Sequence, residues 1–147
     1  MHLKIITVGK PALSYTKAGI DEYLKRLNRH GGCEWIVVKA GKQEEESARL
    51  LDASDGSHRI ALDERGTIFS TRELAGTLDA MRMDGRIKAV AFLIGGADGH
   101  TEKLRTSSDG LLSLSRLTMQ HELASVVLLE QLYRCATLKS GSPYHRD

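Results

Sequence analysis

The sequence predicts an α/β fold: a single domain built on a mostly parallel sheet flanked by helices. Three observations point to it. Short β-branched runs alternate along the chain with segments whose apolar residues recur at helical spacing. One run, Lys88–Ile94 (KAVAFLI), is almost wholly apolar, as a strand covered on both faces would be. The chain has 147 residues, the length of one domain, with no internal repeat or low-complexity linker to divide it.

The elements follow in order. Leu3–Val8 (LKIITV) reads as a strand ended by Gly9-Lys10-Pro11. Ile20, Tyr23, Leu24 and Leu27 stand at i, i+3, i+4 and i+7 and predict a helix with one buried face, stopped at His30-Gly31-Gly32. Glu34–Lys39 is a second strand, and residues 43–54 a charged helix with Ala48, Leu50 and Leu51 inward. Arg59–Asp63 is a third strand, closed by Glu64-Arg65-Gly66. Ser70 and Glu73 form a capping-box pair, because each side chain can reach the other's backbone N–H. The helix they open runs through Leu74, Leu78 and Met81 to Gly85. After the fourth strand come Gly95–Gly99, a short helix over 101–107, and a short strand with a following loop over Leu111–Thr118. The longest helix spans His121–Thr137.

That last helix is apolar nearly all round, through Leu123, Val126, Val127, Leu128, Leu129, Leu132, Tyr133, Cys135 and Ala136. Such a helix needs cover on more than one side, and a second copy of the chain is the expected cover. A homodimer is therefore an expectation of the sequence.

Composition excludes several classes. The net charge of +2 is too small to announce nucleic acid by itself. Its distribution is uneven: residues 1–30 carry six lysines and arginines against two acids, and residues 134–147 three against one. The two cysteines, Cys33 and Cys135, form no CxxC and no metal spacing, so no metal is expected. They read as buried thiols in a reducing cytoplasm. No apolar stretch approaches the length of a membrane span, so no membrane partner is expected. The glycines after the fourth strand are not G-x-G-x-x-G, which disfavours a nicotinamide cofactor, and no P-loop occurs.

Ligands of parallel α/β sheets bind outside the carboxyl ends of the strands. Leu62-Asp63, Gly95–Gly99 and Leu114–Met119 are the candidate segments. Separately, Pro143-Tyr144-His145-Arg146 concentrates a stiff residue, a stacking ring, a group titrating near neutrality and a guanidinium fork at the end of the sequence. That mixture suits a nucleotide lid.

Taken together, Leu62-Asp63, Phe92-Leu93-Ile94-Gly95-Gly96-x-x-Gly99, Leu114-Ser115-x-Leu117-Thr118-x-x-His121, Leu129-Glu130-Gln131-Leu132-Tyr133-Arg134 and Pro143-Tyr144-His145-Arg146 resemble the ribosomal RNA large subunit methyltransferase H family. Its members are SPOUT-class enzymes that methylate N3 of a pseudouridine in 23S rRNA. The resemblance runs over the whole chain. It implies an α/β knot with a C-terminal trefoil, which generic fold rules would argue against. It implies S-adenosylmethionine as cofactor, held by Leu62, Gly95, Leu114, Ser115, Arg116, Leu117, Thr118 and Met119. It further implies catalysis by Tyr144, His145 and Arg146, a homodimer with sites at its interface, and action on the assembled 70S ribosome. His145 is the expected base or substrate-orienting group, with Tyr144 stacking on the acceptor and Arg146 holding a phosphate or the imide oxygens. Lys10, Lys17, Lys25, Arg26 and Arg29 are the expected RNA contacts. Ser125 departs from the family, whose members often carry arginine there. Two alternatives remain open: a SPOUT enzyme acting on another RNA, and a non-catalytic ribosome-binding module with the same fold.

Overall fold

The computed structural model describes residues 1–147. Five parallel strands form one sheet: β1 (His2–Val8), β2 (Glu34–Val38), β3 (His58–Ile68), β4 (Ala89–Ile94) and β5 (Gly110–Ser113), in the order β2-β1-β4-β3-β5. β4 lies at the centre, and Val90 through Ile94 are buried, as its unbroken apolar run requires.

Alternation along the strands divides the core in two. Ile5, Ile60, Val90, Phe92 and Ile94 face α1 (Ser14–Leu27), α3 (Thr71–Met83) and α5 (His121–Ser140). Ile6, Val8, Ala61, Ala91 and Leu93 face α2 (Gln43–Ala53) and α4 (Glu102–Thr106), meeting Leu50 and Leu104.

The capping box at the start of α3 forms in both directions. Ser70 Oγ accepts from the Glu73 amide at 3.1 Å, and Glu73 Oε2 from the Ser70 amide at 2.8 Å. α1 has no such local cap. The two amides just ahead of it and a hydroxyl in its first turn reach instead to a distant carboxylate: Glu122 Oε1 accepts from Ala12 N at 2.9 Å, Leu13 N at 3.1 Å and Thr16 Oγ1 at 2.7 Å. Burial raises the Glu122 pKa, but the bonds from Thr16, Leu13 and Ala12, with the charge of His121, leave it below the ordinary value. This carboxylate ties the start of α1 to the start of α5. Gly19 lets the two helices close, because a Cβ there would sit 3.0 Å from Val126 Cγ1.

Two elements differ from the sequence expectation. β3 does not end at Glu64-Arg65-Gly66. It bulges there and resumes through Ile68, so Leu62 and Thr67 both stand opposite Leu112 of β5. Gly66 is what allows the crossing. A Cβ on it would lie 2.5 Å from the Leu111 carbonyl carbon and 2.6 Å from Leu112 N, both backbone atoms. The all-round apolar helix α5 finds much of its cover within the chain, packed between the sheet, α1 and α3. The stripe Leu123, Val127, Glu130 and Arg134 is left exposed or half-buried along it.

Candidate functional site

β3, β4 and β5 are neighbours in the sheet, so the bulge in β3 and the carboxyl ends of β4 and β5 bring Leu62, Ile94 and Ser113 to one place. There a cavity of about 500 Å³ opens, lined by Leu62, Gly95, Leu114, Ser115, Leu117, Thr118 and Met119 among others. Seven of the eight residues expected to hold a cofactor thus surround one space. Arg116, exposed on the same loop, does not line it.

The loop after β5 is shaped by its own serines. Ser113 Oγ donates to Ser115 O at 2.9 Å, and Ser115 Oγ accepts from Leu117 N at 3.0 Å. This turn presents Leu117, which is 78% exposed, at the cavity mouth. Gln120 Oε1 then accepts from the Glu122 and Leu123 amides at 2.9 and 3.0 Å and starts α5.

The glycine turn forms the opposite wall. Side chains on it would collide with the walls: a Cβ at Gly95 would lie 3.2 Å from His100 Nδ1, and one at Gly96 would lie 2.9 Å from Glu46 Oε1. Gly99 has φ of +72°. α2 braces the turn through Gln43 Nε2, which donates to Asp98 O at 2.8 Å, and Ser47 Oγ, which accepts from Thr101 N at 3.2 Å.

The floor holds polar groups, of which the sequence singled out Asp63 beside Leu62 and passed over His100 and Arg105. Asp63 accepts from the Arg65 amide at 2.9 Å and lies 3.6 Å from Arg105 Nη1. Burial pushes its carboxyl up, but the Arg65 bonds and the charges of Arg65 and Arg105 hold it below the usual carboxylate value. Arg105 Nη1 also donates to His100 O at 2.7 Å. Burial lowers the His100 pKa; its Nε2 lies 3.2 Å from Leu93 O, and its Nδ1 is buried with no partner. Asp63 was legible as part of the Leu62-Asp63 segment and His100 directly follows the glycine turn, whereas Arg105 arrives from a helix and gave no signal.

A space of this size, with apolar walls at Leu62, Leu114, Leu117 and Met119 and a few fixed polar groups, has the character of a small-molecule site. The bare glycine turn and the orphaned His100 nitrogen fit a flat heterocycle with polar edges. No group of three or more His, Cys, Asp or Glu side chains is arranged to hold a metal ion, and no helix is long and apolar enough to cross a membrane.

Tyr144, His145 and Arg146 are not at this cavity. Tyr144 and His145 pack beside the other end of α5, near residues 130–134, with Arg146 exposed after them, whereas the cavity touches α5 at His121 and Ala124. Ten residues of helix separate Ala124 from Arg134, roughly 15 Å. The Tyr144 ring meets Tyr133 edge-on at 4.7 Å, its hydroxyl donates to Glu130 Oε1 at 3.2 Å, and Arg134 covers it at 4.9 Å. Burial, and hydrogen bonds with Tyr23 and Glu130, push the Tyr144 pKa up. Glu130, the acid interrupting the apolar helix, is paired with Arg134 of the same chain. Arg134 therefore has its own carboxylate partner, and Ser125 is buried with its hydroxyl on His121 O. Of the expected RNA contacts, Arg26 lies at this end, 5.6 Å over the Tyr133 ring.

Comparison with known proteins accords with this geometry. Residues 1–145 match the family model described as "Predicted SPOUT methyltransferase". The chain is 47% identical to the ribosomal RNA large subunit methyltransferase H of Deinococcus radiodurans and 44% identical to that of Thermus thermophilus, covering 99% of both chains in each case. The fold resembles a probable methyltransferase from Bordetella pertussis Tohama I, with a TM-score of 0.61 at 14% identity over 91% of this chain and 93% of that one. It also resembles a probable methylase family protein from Haemophilus influenzae Rd KW20, with a TM-score of 0.62 at 12% identity over 99% of this chain and 70% of that one. With the sequence match spanning nearly every residue and the fold agreeing, the chain belongs to the SPOUT methyltransferases, in the ribosomal RNA large subunit methyltransferase H family.

Proposed function

We propose that this protein methylates N3 of a pseudouridine in 23S rRNA, using S-adenosylmethionine and acting on the assembled 70S ribosome as a homodimer. The observation that carries the reading is the joining of Leu62, Gly95, Leu114, Ser115, Leu117, Thr118 and Met119 around one cavity in a chain whose relatives bear that methyltransferase name.

S-adenosylmethionine supplies a methyl group already activated by its sulfonium. The protein's own residues then have three tasks. Leu62, Leu117 and Met119 offer an apolar slot for adenine, and Gly95 permits close backbone approach. The walls exclude water and align the methyl donor with the acceptor nitrogen. The acceptor imide must lose a proton, and His145 is the group for it, with Tyr144 and Arg146 orienting the base and its phosphate or oxygens.

In one chain the tail and the cavity lie at opposite ends of α5. A second copy supplying its tail to the first copy's cavity would complete the site. Leu13, Leu117 and Leu123 are exposed apolar residues close to the cavity end of α5, and with Val127 they offer a surface for that copy. The knot belongs to the same reading, supported by the tight passage of β5 against Gly66. Lys10, Lys17 and Lys25 are exposed cations for phosphate contact. A net charge of only +2 favours a shaped ribosomal target over naked RNA, and hence a cytoplasmic setting.

The test is methylation of 70S ribosomes from a strain lacking the modification, followed by mass mapping of the nucleotide. Methyl transfer to N3 of one pseudouridine is expected. Transfer to another RNA or another atom, or none with the cofactor bound, would overturn the reading. Light scattering tests the dimer: a monomer at micromolar concentration removes it.

A further inference from the structure

Both ring nitrogens of His145 have partners, and the partners leave no choice of tautomer. Nε2 lies 2.8 Å from Asp147 Oδ1, and Nδ1 lies 3.3 Å from Arg134 Nη1. A guanidinium can only donate, and an ionised carboxylate can only accept. With these partners the proton lies on Nε2 and the lone pair on Nδ1. Asp147 is in turn fixed by the first turn of α3. Arg72 Nη2 donates to its Oδ2 at 2.7 Å, and Arg72 Nε lies 3.0 and 3.1 Å from the two oxygens.

We infer that Asp147 is a positioning residue for His145: it holds the proton on Nε2 and so presents Nδ1 as the nitrogen that can take up a proton. The inference rests on the proposed role of His145 as proton acceptor. The two bonds are unequal in the right sense. The Asp147 contact is short and charge-assisted, whereas the Arg134 contact is at the long end of hydrogen-bond range. Arg134 has a closer partner in Glu130, which frees Nδ1 with little loss. When the acceptor's N–H bond breaks, its proton forms a new bond to Nδ1, and the resulting imidazolium keeps Nε2–H directed at the Asp147 carboxylate. A carboxylate in that place orients the ring and stabilises its charged form. Asp147 is two residues from His145, so the pair belongs to one tail segment.

The charged and titratable groups facing the ring are Asp147 on the tail, Arg134 on α5 and, one contact further out, Arg72 on α3, Glu130 on α5 and Tyr144. The nearest is Asp147. Removing its charge weakens His145 as a base, so the acidic limb of the rate profile moves to lower pH and the plateau falls.

The experiment compares Asp147→Asn and His145→Ala with the parent, using full-length protein and undermethylated ribosomes in single turnover across pH. Long-range ¹⁵N spectra of the histidine-labelled protein report the tautomer and the titration of His145 without reference to activity. The parent is expected as the Nε2–H tautomer. Asp147→Asn is expected to lose about tenfold in rate, the scale on which such outer partners act, with both the acidic limb and the His145 titration shifted down. If Asp147→Asn keeps the parent's profile and titration while His145→Ala is inactive, the inference falls and the role of His145 stands. If His145→Ala keeps the parent's rate, the role of His145 falls instead. In that case the spectra alone decide whether Asp147 fixes the tautomer, and an unchanged tautomer and titration in Asp147→Asn refute it.

Discussion

Glu122→Ala removes one carboxylate oxygen to which Ala12 N, Leu13 N and Thr16 Oγ1 all donate. The exposed Ala12 and Leu13 amides can turn to water, and the Thr16 hydroxyl keeps its 2.9 Å bond to Leu13 O. The loss is therefore the excess of three bonds to a charged acceptor over their replacements, about 0.7–1 kcal/mol each. Together these give about 2–3 kcal/mol, a fall in Tm of roughly 5–10 °C for a chain of this length. Glu122→Gln keeps an acceptor oxygen and loses only the charge, so about 1 kcal/mol is expected. Because the folded carboxyl titrates below its ordinary value, its contribution is whole above the unfolded pKa. It is lost as pH falls through the lower, folded pKa. Urea titrations at pH 7 and pH 3.5 measure this, and the gap between parent and Glu122→Gln should narrow at the lower pH. An alanine variant within about 0.5 kcal/mol of the parent, or a gap that widens in acid, would refute the argument.

Three other outcomes follow from the same structure. Gly66→Ala should destabilise by more than the ~1–3 kcal/mol usual for overpacking, since the new methyl meets backbone; Gly76→Ala, in open space on α3, should stabilise by about 0.5–1 kcal/mol, and chemical denaturation compares the two. Gly95→Val should abolish S-adenosylmethionine binding by calorimetry and lower the melting temperature, because its side chain would press on His100 and the Gly99 backbone at the cavity wall. Cys135 is buried as expected, whereas Cys33 is only half-buried; burial pushes their thiols up to about 11 and about 12, so at pH 7.5 alkylation of Cys135 in the native protein should be slow and should accelerate sharply in denaturant, and rapid native labelling of Cys135 would contradict that burial.

What the sequence revealed was what lies in local pattern. Val90–Ile94 announced a strand covered on both faces, and Ser70 with Glu73 announced a helix start that the structure reproduces bond for bond. The continuation of β3 was hidden because Glu64-Arg65-Gly66 has the composition of a turn, and only its contact with β5 makes it a bulge. The tie from Glu122 to the start of α1 was equally hidden, since a glutamate in the first turn of α5 is ordinary there and its donors lie more than a hundred residues away. The cavity was legible from strand ends and glycines, but the Arg105 partner of Asp63 in its floor was not. The lodging of the tail beside α3 and α5 depends on Arg72 and Asp147, far apart in the chain, and no periodicity encodes such a pair.

The all-parallel sheet has a consequence for how the chain comes to exist. No two neighbouring strands can form a hairpin, so no part of the sheet can nucleate locally. β1 gains β2 early, but its other edge waits for β4, whose Ala89 lies opposite His2. At ribosomal synthesis rates of about 5–20 residues per second, that edge and the apolar side chains of Ile5 and Ile6 stay open for several seconds. Folding of the nascent chain is thus timed by the arrival of its central strand, and destabilising β4 should raise aggregation during synthesis more than during refolding of the finished protein.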